Sequence, residues 1–398
     1  MNFLNSIDFQ NKRVIIRVDL NVPLDENKRV TDSTRISACK ETIKYVLDNG
    51  GACVLLSHLG RPKGKDNSLS LIHIVNTISE IFGQKIHFHN DCIGDEAENK
   101  TKQLKSGEIL LMENLRFYSE ETKGDLEFAK KLSRLGDVYI NDAFGTCHRE
   151  HSSTAVIAKF FENDKYVGKL LEKELEAISE ITENGKKPVL AILGGAKVSS
   201  KLNILYKLIQ KVDKIIIGGG MAYTFIKASG GFIGNSLLEK ELIDNAKEIM
   251  KIAKETKVDI ILPVDINCSR DFDNNNDIRV FKSNEIEEGW MGLDIGPETI
   301  LKFSKEISLS KTIFWNGPVG VFEKDQFSKG TEAVCKFLKS AKESGVNVIV
   351  GGGDSIAALK KLGKEEWVSY ISTGGGALLE SLEGKVLPGV YALTDEYK

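Results

Sequence analysis

The chain has 398 residues, 41% hydrophobic and 28% charged, with a formal net charge of −3. That length suggests two or three domains, each able to bury a core, and a near-neutral balance excludes the strong basic field that binding a nucleic-acid backbone demands. Thirty-six glycines against only seven prolines exclude a Pro/Gly-rich disordered chain, and no apolar run approaches the roughly 18 residues of a membrane span, so a cytoplasmic protein without nucleic-acid or membrane partners is expected.

Along the chain, short β-branched runs alternate with helical patterns, the arrangement of βα units around parallel sheets. The first runs cover 13–18, 52–57, 108–113 and 137–141, and helical spacing follows at 34–47 and 126–135. Residues 170–183, LLEKELEAISEITE, combine strong helix formers with apolar spacing of three and four, and the pattern stops at Asn184-Gly185. This helix is the expected connector between domains. Beyond it a strand, a small glycine run and a helix recur four times, in VLAILGGAKVSSKLNIL, KIIIGGGMAYTFI, VNVIVGGGDSIAALKKL and VSYISTGGGALLESL.

The composition differs between the halves. Eleven glycines precede residue 185 and 25 lie at or after it, whereas all six histidines and eight of the ten arginines precede residue 152. A glycine at a strand-to-helix turn lets backbone N–H groups approach a ligand, and the helix directs its partial positive end to the same point. One such turn means little beyond tight packing. Four of them suggest a phosphate-bearing ligand at the carboxyl ends of parallel strands.

Neither GxxxxGK[ST] nor GxGxxG is present, so an ordinary P-loop or Rossmann fingerprint is ruled out. In GGAKVSSK, Lys197 and Lys201 are four apart, and a helix would bring both ammonium groups to one face near the glycine doublet. Asp354 in GGGDS sits where a glycine turn becomes a helix; it suits either an N-cap or the single carboxylate that Mg²⁺ needs beside phosphates. Glu323, after WNGPVGVF, is placed to meet ribose hydroxyls. The first half offers Arg35, His58 and Arg61 in SHLGRP, Arg116 in ENLRF and Arg149 in GTCHREHSS, several of them just beyond predicted strands. Exposed arginines are ordinarily just solvated, but guanidinium groups on separate loops also make a pocket for a small, multiply charged anion. His148 and His151 suit that anion site better than a metal, since Arg149 between them repels a cation. His87 and His89 are expected to be structural, and the six scattered cysteines to be free thiols.

These blocks resemble the phosphoglycerate kinase family along essentially the whole chain. The resemblance rests on RVDLNVP at 17–23, SHLGRP at 57–62, ENLRF at 113–117, DAFGTCHREHSS at 142–153, GGAKVSSK at 194–201, WNGPVGVFE at 315–323, GGGDS at 351–355 and STGGGA at 372–377. It departs from the family pattern at Cys147 and Glu150, where alanines are usual, which puts in question whether a thiol near the substrate is sensitive to oxidation.

The resemblance implies an α/β fold of two domains, each a parallel, Rossmann-like sheet flanked by helices. The expected bounds are 1–168 for a phosphoglycerate-binding domain, 169–184 for a hinge helix and 185–383 for a nucleotide-binding domain, with 384–398 returning to the first. It implies reversible transfer of the acyl phosphate of 1,3-bisphosphoglycerate to ADP, giving 3-phosphoglycerate and ATP, with Mg²⁺, after domain closure and in a monomer. Asp19, Leu20, Asn21, Arg35, His58, Leu59, Gly60, Arg61, Arg116 and Arg149 would then serve phosphoglycerate. Lys197, Lys201, Gly292, Asn316, Glu323, Gly352, Gly353, Asp354 and Ser355 would serve the nucleotide, with Asp354 on the metal. Arg35, Lys197 and the backbone of Gly374, Gly375 and Gly376 would stabilise the transferred phosphoryl group. Without the resemblance, a kinase for another small phosphorylated acid, or a non-catalytic nucleotide-responsive protein, explains the same residues.

Overall fold

The computed structural model describes residues 1–5, 7–273 and 277–397; Ser6, 274–276 and Lys398, the last residue of the expected returning segment, lie outside the described residues. The chain divides into two compact units, Met1–Leu175 with Val386–Lys398, and Glu176–Lys385. The division falls inside one helix, Lys169–Thr182.

The first unit is built on seven strands: β1 (Asn2–Phe3), β2 (Arg13–Val18), β3 (Ala52–Leu56), β4 (Ile86–His89), β5 (Ile109–Met112), β6 (Val138–Asp142) and β7 (Lys165–Val167). All pair in parallel, in the order β1-β7-β6-β2-β3-β5-β4. A parallel sheet covered on both faces needs strands that are apolar throughout, and VIIRV, ACVLL and ILLM are. The exception is Arg17, fully buried within β2. The pattern at 34–47 resolves into two helices, Thr34–Ala38 and Lys40–Asp48, separated at Cys39. The returning segment docks on this unit: Gly389 donates its N–H to Cys147 O at 2.9 Å and accepts from Asn141 Nδ2 at 3.2 Å. Gly384 and Lys385 stay with the second unit, where Lys385 N–H donates to Glu380 O.

The second unit contains β8 (Val189–Leu193), β9 (Lys214–Ile217), β10 (Phe232–Ile233), β11 (Asp259–Ile261), β12 (Asp265–Ser269), β13 (Ile278–Lys282), β14 (Glu285–Ile286), β15 (Met291–Ile295), β16 (Thr312–Asn316), β17 (Asn347–Val350) and β18 (Tyr370–Ile371). Six of them form a parallel sheet, β11-β9-β8-β16-β17-β18; β13-β12-β15 is a separate antiparallel sheet and β10 pairs with β14. The order reverses between β8 and β16, and a crevice opens where connections leave a sheet in opposite directions. The same reversal in the first unit lies between β2 and β6.

Candidate active site

The loops after β2, β3, β5 and β6 surround a cavity of about 560 Å³ in the first unit. Asp19 and Asn21 reach it from β2, His58 and Arg61 from β3, Arg116 from the turn after β5, and Thr146, Arg149 and His151 from the loop after β6; Arg35 enters from the first turn of Thr34–Ala38. Several of these side chains are held by their neighbours. Arg35 Nη1 lies 3.0 Å from Asp19 Oδ2 and donates to Asn21 O at 3.2 Å. Asn21 Oδ1 accepts Gly60 N–H at 2.8 Å, and Gly60 O accepts Arg116 Nη1 at 2.7 Å. Gly60 thus acts through its backbone, at a positive φ of 64° that suits glycine. Leu20 and Leu59 do not line the cavity with their side chains, which are buried in the core beneath it.

The cavity is short of negative charge. Four arginines and Lys63 face one carboxylate, Asp19. Burial, reinforced by the nearby arginines, lowers the pKa of His58 well below its ordinary value and that of His151 to about 4, so both rings are neutral. Burial also lowers Arg116, with Arg17 and Arg61 adding to the effect, and its buried Nε has no hydrogen-bond partner among the described residues. Crowded cations and an unpaired donor are what a bound anion would relieve. His148 and His151 both line the site, where the HREH pattern placed them, although the family resemblance did not name them as substrate contacts.

A second cavity, of about 620 Å³, lies in the second unit against the carboxyl ends of β8, β9 and β16. Its wall of Leu237, Phe272, Met291, Leu293 and Val321 is apolar and suits a flat base, while Glu323 and Asp354 supply carboxylates. Glycines let the turns meet: a Cβ on Gly194 would lie 2.1 Å from Pro318 O, and one on Gly292 would lie 2.1 Å from Tyr223 OH. Behind the cavity, Asn316 Nδ2 donates to Gly351 O at 2.7 Å. Ser355 Oγ accepts Gly317 N–H at 2.5 Å and donates to Gly351 O at 2.9 Å. Asn316 and Ser355 therefore tie β16 to β17, with their side chains turned away from solvent.

A phosphoglycerate kinase family model matches residues 4–385. The chain is 49% identical over 392 residues to the cytosolic phosphoglycerate kinase of Nicotiana tabacum, with 98% of each chain covered. The chain belongs to the phosphoglycerate kinase family. A phosphoglycerate kinase of Porphyromonas gingivalis is 46% identical, covering 98% of this chain and 99% of its own. The solved phosphoglycerate kinase of Coxiella burnetii superposes with a TM-score of 0.90 at 38% identity, covering 99% of this chain and 98% of that one, so the two-domain α/β fold is the family's.

Against the family's motifs, two expectations need correction. Lys197 and Lys201 do not share a helix face. Residues 194–201 form turns and the helix begins at Leu202, because Gly195 takes a φ of 106° and Ser200 Oγ bonds Lys197 O in competition with the backbone. Lys197 is exposed and Lys201 half-buried, its Nζ donating to Asn316 O and Oδ1. Nor is Asp354 an N-cap: Gly352 takes that position, and Asp354 stands exposed on the first turn of Gly353–Leu362 with no capping bond. Lys197 and Gly374, Gly375 and Gly376 line neither cavity; Gly374 N–H donates to Ser372 Oγ, and Gly375 and Gly376 open the helix Gly376–Leu382.

Among the described residues, no three His, Cys, Asp or Glu side chains gather to hold a metal. The fit for Mg²⁺ is of another kind: one carboxylate, Asp354, at the edge of a cavity, with phosphate oxygens and water as the remaining ligands. Among the described residues, no helix is long and apolar enough to cross a membrane. Cys147 is buried, and burial pushes its thiol up to about 12, so oxidation there is disfavoured.

Proposed function

We propose that this chain catalyses reversible transfer of the acyl phosphate of 1,3-bisphosphoglycerate to ADP, giving 3-phosphoglycerate and ATP, a step shared by glycolysis and gluconeogenesis. The observation that carries the reading is the arginine-lined cavity of about 560 Å³, a built receptor for a small polyanion. Phosphoglycerate occupies this cavity, and the nucleotide lies along the apolar wall of the other, with Glu323 toward its ribose. Asp354 would hold Mg²⁺, which when bound neutralises charge on the nucleotide phosphates.

In the ATP-consuming direction the acceptor is a carboxylate, already ionised near neutrality, so the reaction requires no general base. Phosphoryl transfer depends on in-line positioning and on charge neutralisation at the equatorial oxygens. Arg35, Lys197 and the N–H groups at 374–376 supply that positive potential. With one substrate on each unit, the reading requires the units to close, bending around 169–184, and to exclude water that would otherwise accept the phosphoryl group. The protein acts as a cytoplasmic monomer.

A coupled assay with 3-phosphoglycerate, ATP and Mg²⁺ tests the activity: turnover is expected, with loss on chelation, and an inactive but folded protein would reject the reading. Small-angle scattering tests closure, with a smaller radius of gyration expected only when both substrates are present.

A further inference from the structure

We propose that Arg17 is a positioning residue: through a buried polar chain, Glu121–Ser153–Arg17, it fixes His58 as the neutral tautomer with hydrogen on Nε2, so that His58 meets the substrate's phosphoryl group only as a donor. This rests on the kinase reading for the identity of the anion, but not for the tautomer.

The geometry decides the tautomer. Arg17 interrupts an apolar strand and is fully buried. Its Nη2 lies 3.1 Å from His58 Nδ1, its Nε donates to Ser153 Oγ at 2.8 Å, and its Nη1 donates to Val18 O. A guanidinium has donors and no acceptor, so the imidazole nitrogen facing it must carry the lone pair. The ring hydrogen is then on Nε2. Ser153 is fixed in turn: its hydroxyl donates to Glu121 Oε1 at 2.6 Å, its N–H donates to Oε2 at 3.0 Å, and its carbonyl accepts from Tyr139 OH at 2.9 Å. Glu121 is fully buried and balances the buried guanidinium through the serine.

The surroundings act the same way. Facing the ring are Arg17 on β2, Arg35 on Thr34–Ala38, Arg116 after β5 and His151 after β6. Arg61 and Arg149 line the same cavity, and Asp19 is the carboxylate present there, already paired with Arg35. A second proton on His58 would add a cation to this group while removing the acceptor that Arg17 uses. A phosphate dianion offers acceptors only, so a donor-only imidazole favours it over a hydroxyl or amide ligand, which also offers donors.

The test is a ¹⁵N–¹H long-range correlation spectrum of the full chain carrying ¹⁵N-histidine, with His58→Gln used for assignment. The expected result is an unprotonated Nδ1 and a protonated Nε2 on His58, unchanged from about pH 5.5 to about 8. Arg17→Met should release the tautomer, so that the ring carries hydrogen on Nδ1 as well as on Nε2. It should also raise KM for 3-phosphoglycerate about tenfold, with kcat changed less. Arg17→Lys, which keeps a donor for Nδ1, should restore part of both effects. A wild-type His58 protonated on Nδ1, or a tautomer unchanged in Arg17→Met, overturns the proposal. If Arg17→Met does not fold, the wild-type spectrum still decides the tautomer, and Ser153→Ala, which takes one acceptor from Arg17, should shift KM the same way by less. An inactive chain with the expected spectrum rejects the kinase reading alone; an active chain with the opposite spectrum rejects this inference alone.

Discussion

Lys201 Nζ donates to the backbone carbonyl of Asn316 at 2.7 Å across a separation of 115 residues, and the same ammonium donates to Asn316 Oδ1. It is thus spent on holding the turns after β8 and β16 together, beside the cavity assigned to the nucleotide. Burial lowers its pKa to about 8, with Asp354 opposing the shift.

The consequence is a pH dependence of nucleotide affinity. Because the pKa lies below the ordinary lysine value, the charge is nearly complete at pH 7 and is lost as pH rises through about 8. ADP affinity measured calorimetrically should fall about tenfold between about pH 7 and about pH 9.5 in the wild type. In Lys201→Met it should be weaker throughout and lack that step. An equal pH profile in both proteins would remove Lys201 from the phosphate site.

Lys197 is exposed on the same turn, so its removal should leave the fold intact, within about 0.5 kcal/mol. If it contacts the phosphoryl group only during transfer, Lys197→Ala should lower kcat by about 10²–10³-fold, with the nucleotide Kd changed by less than about threefold. Near-normal turnover would sink that role.

Asp354→Asn should raise the Mg²⁺ concentration for half-maximal activity about tenfold or more. Its effect on stability should stay within the about 0.3–1 kcal/mol of a charge at a helix N-terminus, since Gly352 holds the cap position. An unchanged magnesium requirement counts against Asp354 as the metal ligand.

Asp142 carries a stability prediction. Its Oδ1 accepts Leu170 N–H at 2.9 Å and Leu171 N–H at 3.3 Å, and the whole carboxyl group is buried. Burial raises its pKa to about 7, above the unfolded value. A raised folded pKa contributes stability that is complete below the unfolded pKa and is lost as pH rises through about 7. Asp142→Asn keeps the Oδ1 acceptor and cannot ionise. Its Tm relative to wild type should therefore be higher at pH 8 than at pH 5, and an equal difference at both would show that Asp142 is ionised throughout.

Much of the fold is local information. The apolar runs at 13–18 and 52–57 read as strands because parallel strands are buried on both faces, and β2 and β3 lie there. The helix at 170–183 is displaced by one residue, as Lys169–Thr182, within the ordinary uncertainty of helix ends. The types of residue in the first cavity were also legible, since arginine and histidine after predicted strands mark an anion site. Arg17 was visible only as a charge inside an apolar run, with nothing in RVDLNVP to say that it would be buried.

Residue types, spacing and motif blocks were thus enough to determine the family, the alternation of strands and helices, and the separation of arginine-rich from glycine-rich chemistry. Only the tertiary structure decided which loops meet and which polar groups remain available to a ligand. Strand order placed β16 between β8 and β17, and so brought Asn316 to Lys201 and Ser355 to Gly317. It also set Arg17 against Ser153, 136 residues away. The physical reason is that periodicity and turn chemistry act over a few residues, whereas a buried donor is satisfied by whichever acceptor the packed sheet brings near it.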